Sequence, residues 1–241
     1  MRVRREPSDM TSPEPLTTHS PRPWPELIPI IEPLVYQVRA GTVMGTAFLI
    51  SVTGPGDGGR HSMLVTAWHV VRDIVQTEES LDLVRRDGTL LSTLTNGAAA
   101  IYPVGPPECD TALILVPTRE PLVSPDTLLP LPLETMLPRG AELGWLGFPG
   151  LVYPNLCFFQ GVVSGYREKP PIYLVDGVAI NGVSGGPAFD RTGLLVGFVS
   201  AYVPNQVDHG TTLPGLMIVT PMNLVRLWMQ DLFGAEVRSR A

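Results

Sequence analysis

The stretch AINGVSGGPAF, residues 179 to 189, sets one hydroxyl, that of Ser184, among Gly182, Gly185, Gly186 and Pro187. A loop so rich in glycine has two readings. It is a tight turn before a strand, or it presents a nucleophile and aims backbone N–H groups at the atom under attack. A serine does the second only with a base to take its proton and a group to orient that base. Histidine suits that duty at neutral pH. Of the four histidines, His19 lies in a proline-rich arm, His61 opens a strand beside a flexible loop, and His209 sits in a polar loop. His69 follows MLVTA, where an apolar strand runs into a short helical turn. Such a junction holds a side chain firmly while a cleft stays open to it. Alone it decides little, since a histidine after a strand is more often structural. A carboxylate to pair with it is Asp110, directly ahead of the apolar run TALILV. Capping or turning the chain is the commoner duty of an aspartate there. The order His69, Asp110, Ser184 is the stronger signal. Two come from one group of strands and the third from another, which implies a cleft between two β units.

Those units are visible as short apolar segments between turn residues. Residues 1–33 are rich in proline, serine and threonine and read as an extended, flexible arm, with Trp24 and Leu27 as its means of docking. A first group of strands fills 34–117: LVYQVRA, GTAFLIS, HSMLVTA running into a helix, the hairpin LDLVRRDGTLLSTLT with Asp87-Gly88 at its tip, and TALILVP. A proline-rich connector spans 118–137. A second group fills 138–241, with AELGWLGFPG, FFQGVVSGY, IYLVDG, GPAFD, GLLVGFVSAYV and GLMIVTP as its strands. It ends in an amphipathic helix, MNLVRLWMQDLFG, with Leu224, Leu227, Trp228 and Leu232 near one face and Asn223 as its cap. This spacing of strands and turns predicts an all-β chain, a sandwich or a pair of barrels. No short-period repeat of the solenoid kind is present.

A chain of 241 residues suits one large β domain or two small packed ones. With 44% hydrophobic and 17% charged residues it is globular in composition. The formal net charge of -6 argues against nucleic acid and anionic membrane as partners. Cys109 and Cys157 fit no zinc spacing and read as free thiols, which points to a reducing compartment. The basic start meets no apolar signal core, and no apolar run is long enough to span a bilayer. The expectation is a cytoplasmic protein with no metal and no cofactor.

GTAFLI, LVTAWHVV, CDTALILV, GFPG, GVVSG and NGVSGGPAF…GLLVGFVS resemble the trypsin-like serine peptidases, most of all their disulfide-poor bacterial branch. The likeness runs from about Val35 to Phe233. It implies a chymotrypsin-like fold, two packed antiparallel β-barrels with a C-terminal α-helix and the active site between them. It implies His69 as general base and acid, Asp110 as its orienting partner and Ser184 as the nucleophile of an acyl-enzyme. The backbone N–H groups of Gly182 and Ser184 would form the oxyanion hole. The partner implied is a protein or peptide substrate, with room for a regulatory protein.

Three positions depart from the family pattern. Val183 stands where zymogen-type members carry an aspartate that pairs with a freed N-terminal amine, so activity without such a cut is expected. Trp68 stands where alanine is frequent, which keeps a catalytically silent module that binds peptides or partners as the alternative. Val178, six residues before the serine, occupies the pocket floor, with Ser200, Ala201 and Tyr202 as its wall. With no acid there, the expected preference is for a small or medium apolar P1 residue. GVSGG also meets the α/β-hydrolase nucleophile pattern, but that fold needs alternating helices and the order Ser, Asp, His.

Overall fold

The computed structural model describes residues 20–53, 60–77, 79–95, 100–116, 122, 136–152, 154–206 and 212–233. His19, His209, nearly all of the connector and most of the proposed arm lie outside the described residues, as do the side chains of His61 and Tyr202.

Seven strands form the first sheet: β1 (Val35–Ala40), β2 (Val43–Thr53), β3 (Arg60–Ala67), β4 (Leu81–Val84), β5 (Leu90–Leu94), β6 (Ala100–Val104) and β7 (Thr111–Leu115). Their order is β5-β4-β1-β2-β3-β7-β6, with every neighbour antiparallel. The sheet is a curled half-barrel among the described residues, less closed than the expected barrel. β8 (Glu142–Gly147), β9 (Cys157–Glu168), β10 (Pro171–Asp176), β11 (Pro187–Phe189), β12 (Leu195–Gln206) and β13 (Thr212–Pro221) do close into a barrel, in the order β10-β13-β12-β11-β8-β9. The central strands are apolar without alternation. Met63, Leu64 and Val65 of β3 and Ala112, Leu113 and Ile114 of β7 are all buried, as strands covered on both faces must be.

Within the expected extended arm, residues 24–31 form a helix instead, α1 (Trp24–Ile31). Pro25 falls in its first turn, where N–H groups have no intrahelical partner. Pro29 lies further in and costs about 3 kcal/mol by itself. Burial of Leu27, Ile30 and Ile31, at roughly 1.5–3 kcal/mol each, outweighs it. Leu27 and Ile31 pack with Leu146, Phe148 and Phe189 of the second barrel. Arg191 tightens the contact. Its guanidinium stacks 4.9 Å from the centre of the Trp24 ring, and its Nε donates to Arg22 O at 2.7 Å.

Two more helices follow, α2 (Trp68–Thr77) and α3 (Met222–Phe233). α3 crosses in the opposite sense to α1. It follows the barrel in sequence and packs on β12, yet Met222, Val225 and Met229 are also buried against the core of the first sheet. That stripe matches the expected face in part: Trp228 packs against the same core and Leu224 is half-buried. Leu227 is 47% exposed, Trp228 is half-buried, and the Leu232 side chain lies outside the described residues. Asn223 falls inside the first turn rather than before it, and its Oδ1 accepts the Leu224 N–H at 3.0 Å.

Candidate active site

His69 is the second residue of α2, immediately after β3. Val70, Val71 and Ile74 anchor the helix in the core and leave the imidazole at its edge. Asp110 ends a single helical turn, Pro107–Cys109, in the left-handed conformation (φ 50, ψ 47). Aspartate adopts that region more readily than most residues. Three contacts bind it to the start of α2. Its carbonyl accepts the Trp68 N–H at 2.8 Å, and its Oδ1 accepts the His69 N–H at 2.8 Å. Its Oδ2 lies 2.6 Å from His69 Nδ1. A carboxylate accepts, so Nδ1 carries the proton and Nε2 is left as an acceptor. The pair is partly open to solvent, with side-chain exposures of 39% for His69 and 25% for Asp110. Beside it, Cys109 is buried. Desolvation, and secondarily the Glu108 charge, push its thiol up, which makes it a packing group and not a nucleophile.

Across the cleft the Ser184 loop is held by its backbone. The N–H groups of Val183, Gly185 and Gly186 donate to Ile180 O (3.0 Å), Val199 O (2.7 Å) and Val183 O (2.9 Å). Among the described residues, the N–H groups of Gly182 and Ser184 take no partner. Gly182 has φ +96 and Gly185 φ +88, and a Cβ at either would collide with backbone, at Phe148 O and Thr46 O respectively. Only glycine fits both demands. Val183 is fully buried with Trp145, Ala188 and Val196.

Buried threonines join the two sides. Thr46 of β2 gives its N–H to Ser184 O at 2.8 Å and its hydroxyl to Gly182 O at 2.7 Å. In return, Thr220 of β13 gives its hydroxyl to Cys109 O at 3.1 Å, next to Asp110. Sequence reasoning missed both. Their only signal was a polar residue inside an apolar strand.

The structure thus joins His69 to Asp110 directly and brings the Ser184 loop against β2. Among the described residues the Ser184 hydroxyl has no hydrogen-bond partner, so its link to His69 is open here. Contacts of this kind tighten when substrate binds. Of the expected specificity residues, Val178 is 56% exposed and lies beyond the last paired residue of β10, Asp176. Ser200 is buried with its hydroxyl toward Ile218 O at 3.4 Å. Ala201 is half-buried, and of Tyr202 only the backbone, opposite Met217, is described. Among the described residues no group of three or more His, Cys, Asp or Glu is set to hold a metal, and no helix is long and apolar enough to cross a membrane.

Solved structures share this architecture. A serine endoprotease from Yersinia pestis superposes with a TM-score of 0.64 at 17% identity, covering 89% of this chain and 68% of its own. The HtrA-type protease AlgW, solved with a tripeptide, gives 0.61 at 18% identity, covering 86% of this chain and 63% of its own. An inactive mutant form of Rv3671c from M. tuberculosis gives 0.61 at 20% identity, covering 89% and 95%. The chain therefore spans about two thirds of the first two and nearly all of the third. At such identities the likeness establishes the fold alone. No curated protein matches the sequence at a significant level. The family model for the trypsin-like peptidase domain does match, over residues 45–198, from just before Thr46 to β12 and through His69, Asp110 and Ser184. With more than half of its length matched and this fold around the match, the chain belongs to the trypsin-like peptidase family.

Proposed function

We propose that the chain is a serine endopeptidase that cleaves peptide bonds through an acyl-enzyme on Ser184. The observation that carries this reading is the alternation of donors in the loop. Val183, Gly185 and Gly186 spend their N–H groups internally, while those of Gly182 and of Ser184 itself, on either side of Val183, stay free among the described residues. Two free donors beside a hydroxyl are what a developing oxyanion needs, and each is worth about 10²–10³ in rate. In the reaction, Ser184 Oγ attacks the substrate carbonyl and His69 Nε2 takes its proton. His69 then returns that proton to the leaving amine. Asp110 holds the imidazole in the tautomer this requires and stabilises its charged form. Water, deprotonated by the same Nε2, releases the acyl group.

The apolar burial of Val183 supports a loop that holds its shape without a freed amine, and so an enzyme active without a new N-terminus. The apolar Val178 and the small Ala201 support a small or medium apolar P1 residue; a profile dominated by arginine would contradict it. The open Ser184–His69 link and Trp68 beside the histidine favour one second reading, a silent peptide-binding module. A fluorophosphonate probe separates the two. The intact wild type should be labelled, and Ser184→Ala and His69→Ala should not. A wild type that stays unlabelled leaves the silent module standing.

A further inference from the structure

Thr46 is fully buried in β2, a strand of the first sheet, yet its side chain serves the second barrel. Its hydroxyl donates to Gly182 O at 2.7 Å and accepts the N–H of Phe148 at 3.0 Å. Its N–H reaches Ser184 O at 2.8 Å, and its carbonyl accepts the Thr66 hydroxyl at 2.7 Å. One residue therefore makes four buried polar contacts, two of them to the loop that carries the nucleophile.

The consequence falls on Gly182. Two peptide planes meet there. The carbonyl of Asn181 is held by the Gly150 N–H at 2.8 Å, and the carbonyl of Gly182 is held by the Thr46 hydroxyl. In a trans peptide the N–H points away from its own carbonyl. Fixing the first carbonyl turns the Gly182 N–H away from Gly150. Fixing the second sets the torsion about Gly182, a residue at φ +96 with no side chain to restrict it. Without the hydroxyl the second plane loses its side-chain anchor, glycine's own freedom lets the torsions about Gly182 relax, and the Gly150 bond alone is left to hold the first plane and its donor. The Thr46 hydroxyl is also saturated, one bond given and one received, and such chains strengthen each link.

We propose that the Thr46 side-chain hydroxyl is a latch, a positioning group that keeps the Gly182 N–H in donor orientation for the chemistry at Ser184. This rests on the peptidase reading above. A threonine that merely filled the interface would be replaceable by valine of the same shape at no cost to turnover.

The test compares Thr46→Val, which keeps the shape and loses the hydroxyl, with Thr46→Ser, which keeps the hydroxyl. Thr46→Val should lower kcat about 10- to 100-fold with KM within about twofold, because the lost donor acts mainly in the transition state. Affinity for a peptide aldehyde, whose adduct places an oxyanion in the same spot, should fall in parallel. Thr46→Ser should restore both. The pH profile of kcat/KM should keep its midpoint, since the His69–Asp110 pair is untouched. Unchanged kcat in Thr46→Val, or no rescue by serine, overturns the proposal. Should Thr46→Val not fold, Thr46→Ala carries the same expectations. Amide hydrogen exchange over 180–186 reads the latch without any reaction. Val183, Gly185 and Gly186 should exchange faster in Thr46→Val than in wild type, and equal rates overturn the latch. A wild type that ignores the fluorophosphonate while its loop responds to Thr46→Val would sink the peptidase reading alone.

Discussion

The two walls of the cleft are made from different parts of the polypeptide. On the peptidase reading proposed above, the working groups of the first sheet are side chains, an imidazole 2.6 Å from a carboxylate. On the barrel they are main-chain N–H groups, and apart from the Ser184 hydroxyl no side chain is asked to do anything. The failure modes differ accordingly. The first wall depends on residue identity and is lost when an atom is exchanged. The second depends on backbone torsion and is lost when φ is disturbed, whatever atoms remain. Each wall is also held from the other side, by Thr46 toward the barrel and by Thr220 toward the Asp110 turn.

The largest effect should come from the side-chain wall. Asp110→Asn keeps the shape but removes the obligate acceptor for Nδ1–H, which favours the wrong imidazole tautomer. A fall in kcat of about 10⁴ is expected with the fold intact, read with a peptide substrate and by circular dichroism. A loss of only a few-fold would mean that His69 is oriented from elsewhere. The backbone wall should be next. Gly182→Ala forces a Cβ onto Phe148 O at a φ that side chains avoid, so one donor turns away. The expected loss is about 10²–10³ in kcat, with Asp110 and His69 unaffected in the pH profile. A normal rate would show that the second wall is less exacting than the first. The smallest effect on rate should come from the reverse latch. Thr220→Val leaves Cys109 O still bonded to the Thr111 hydroxyl at 3.0 Å, so no buried carbonyl is orphaned. A loss of about 1 kcal/mol in denaturant unfolding is expected, with kcat within about threefold. If Thr220→Val slowed turnover as much as Thr46→Val, the two latches would be equivalent and the contrast between walls would fail.

The same contrast explains what could be read in the sequence. His69 and Asp110 are legible because their chemistry is their residue type, set against apolar flanks that mark where strands begin and end. The glycines beside Ser184 are legible as freedom, but the torsions they adopt and the donors they leave free are set by contacts with Phe148, Gly150 and β2. Thr46 carries only a faint mark, a polar residue in an apolar strand, since its partner Gly182 lies 136 residues away and a threonine in a strand is ordinary. The strand groups are legible from apolar runs and turns. α1 is not, because Pro25 and Pro29 argue locally against a helix that burial on a distant barrel then stabilises. The α3 face is legible only in part: Trp228 packs on the core as expected, while the buried Met222 and Met229 stand among more conspicuous leucines.

The crossing of the two end helices bears on how the molecule holds together. α1 precedes the first sheet and packs on residues of the barrel; α3 follows the barrel and packs both on β12 and on β6 of the first sheet. Neither half owns all the cover its core requires. Either half, excised alone, would leave an oily face uncovered and carry off a helix that its neighbour also uses. Severing the backbone between them would not free one from the other, because the chain is clasped at both ends like a folded strap.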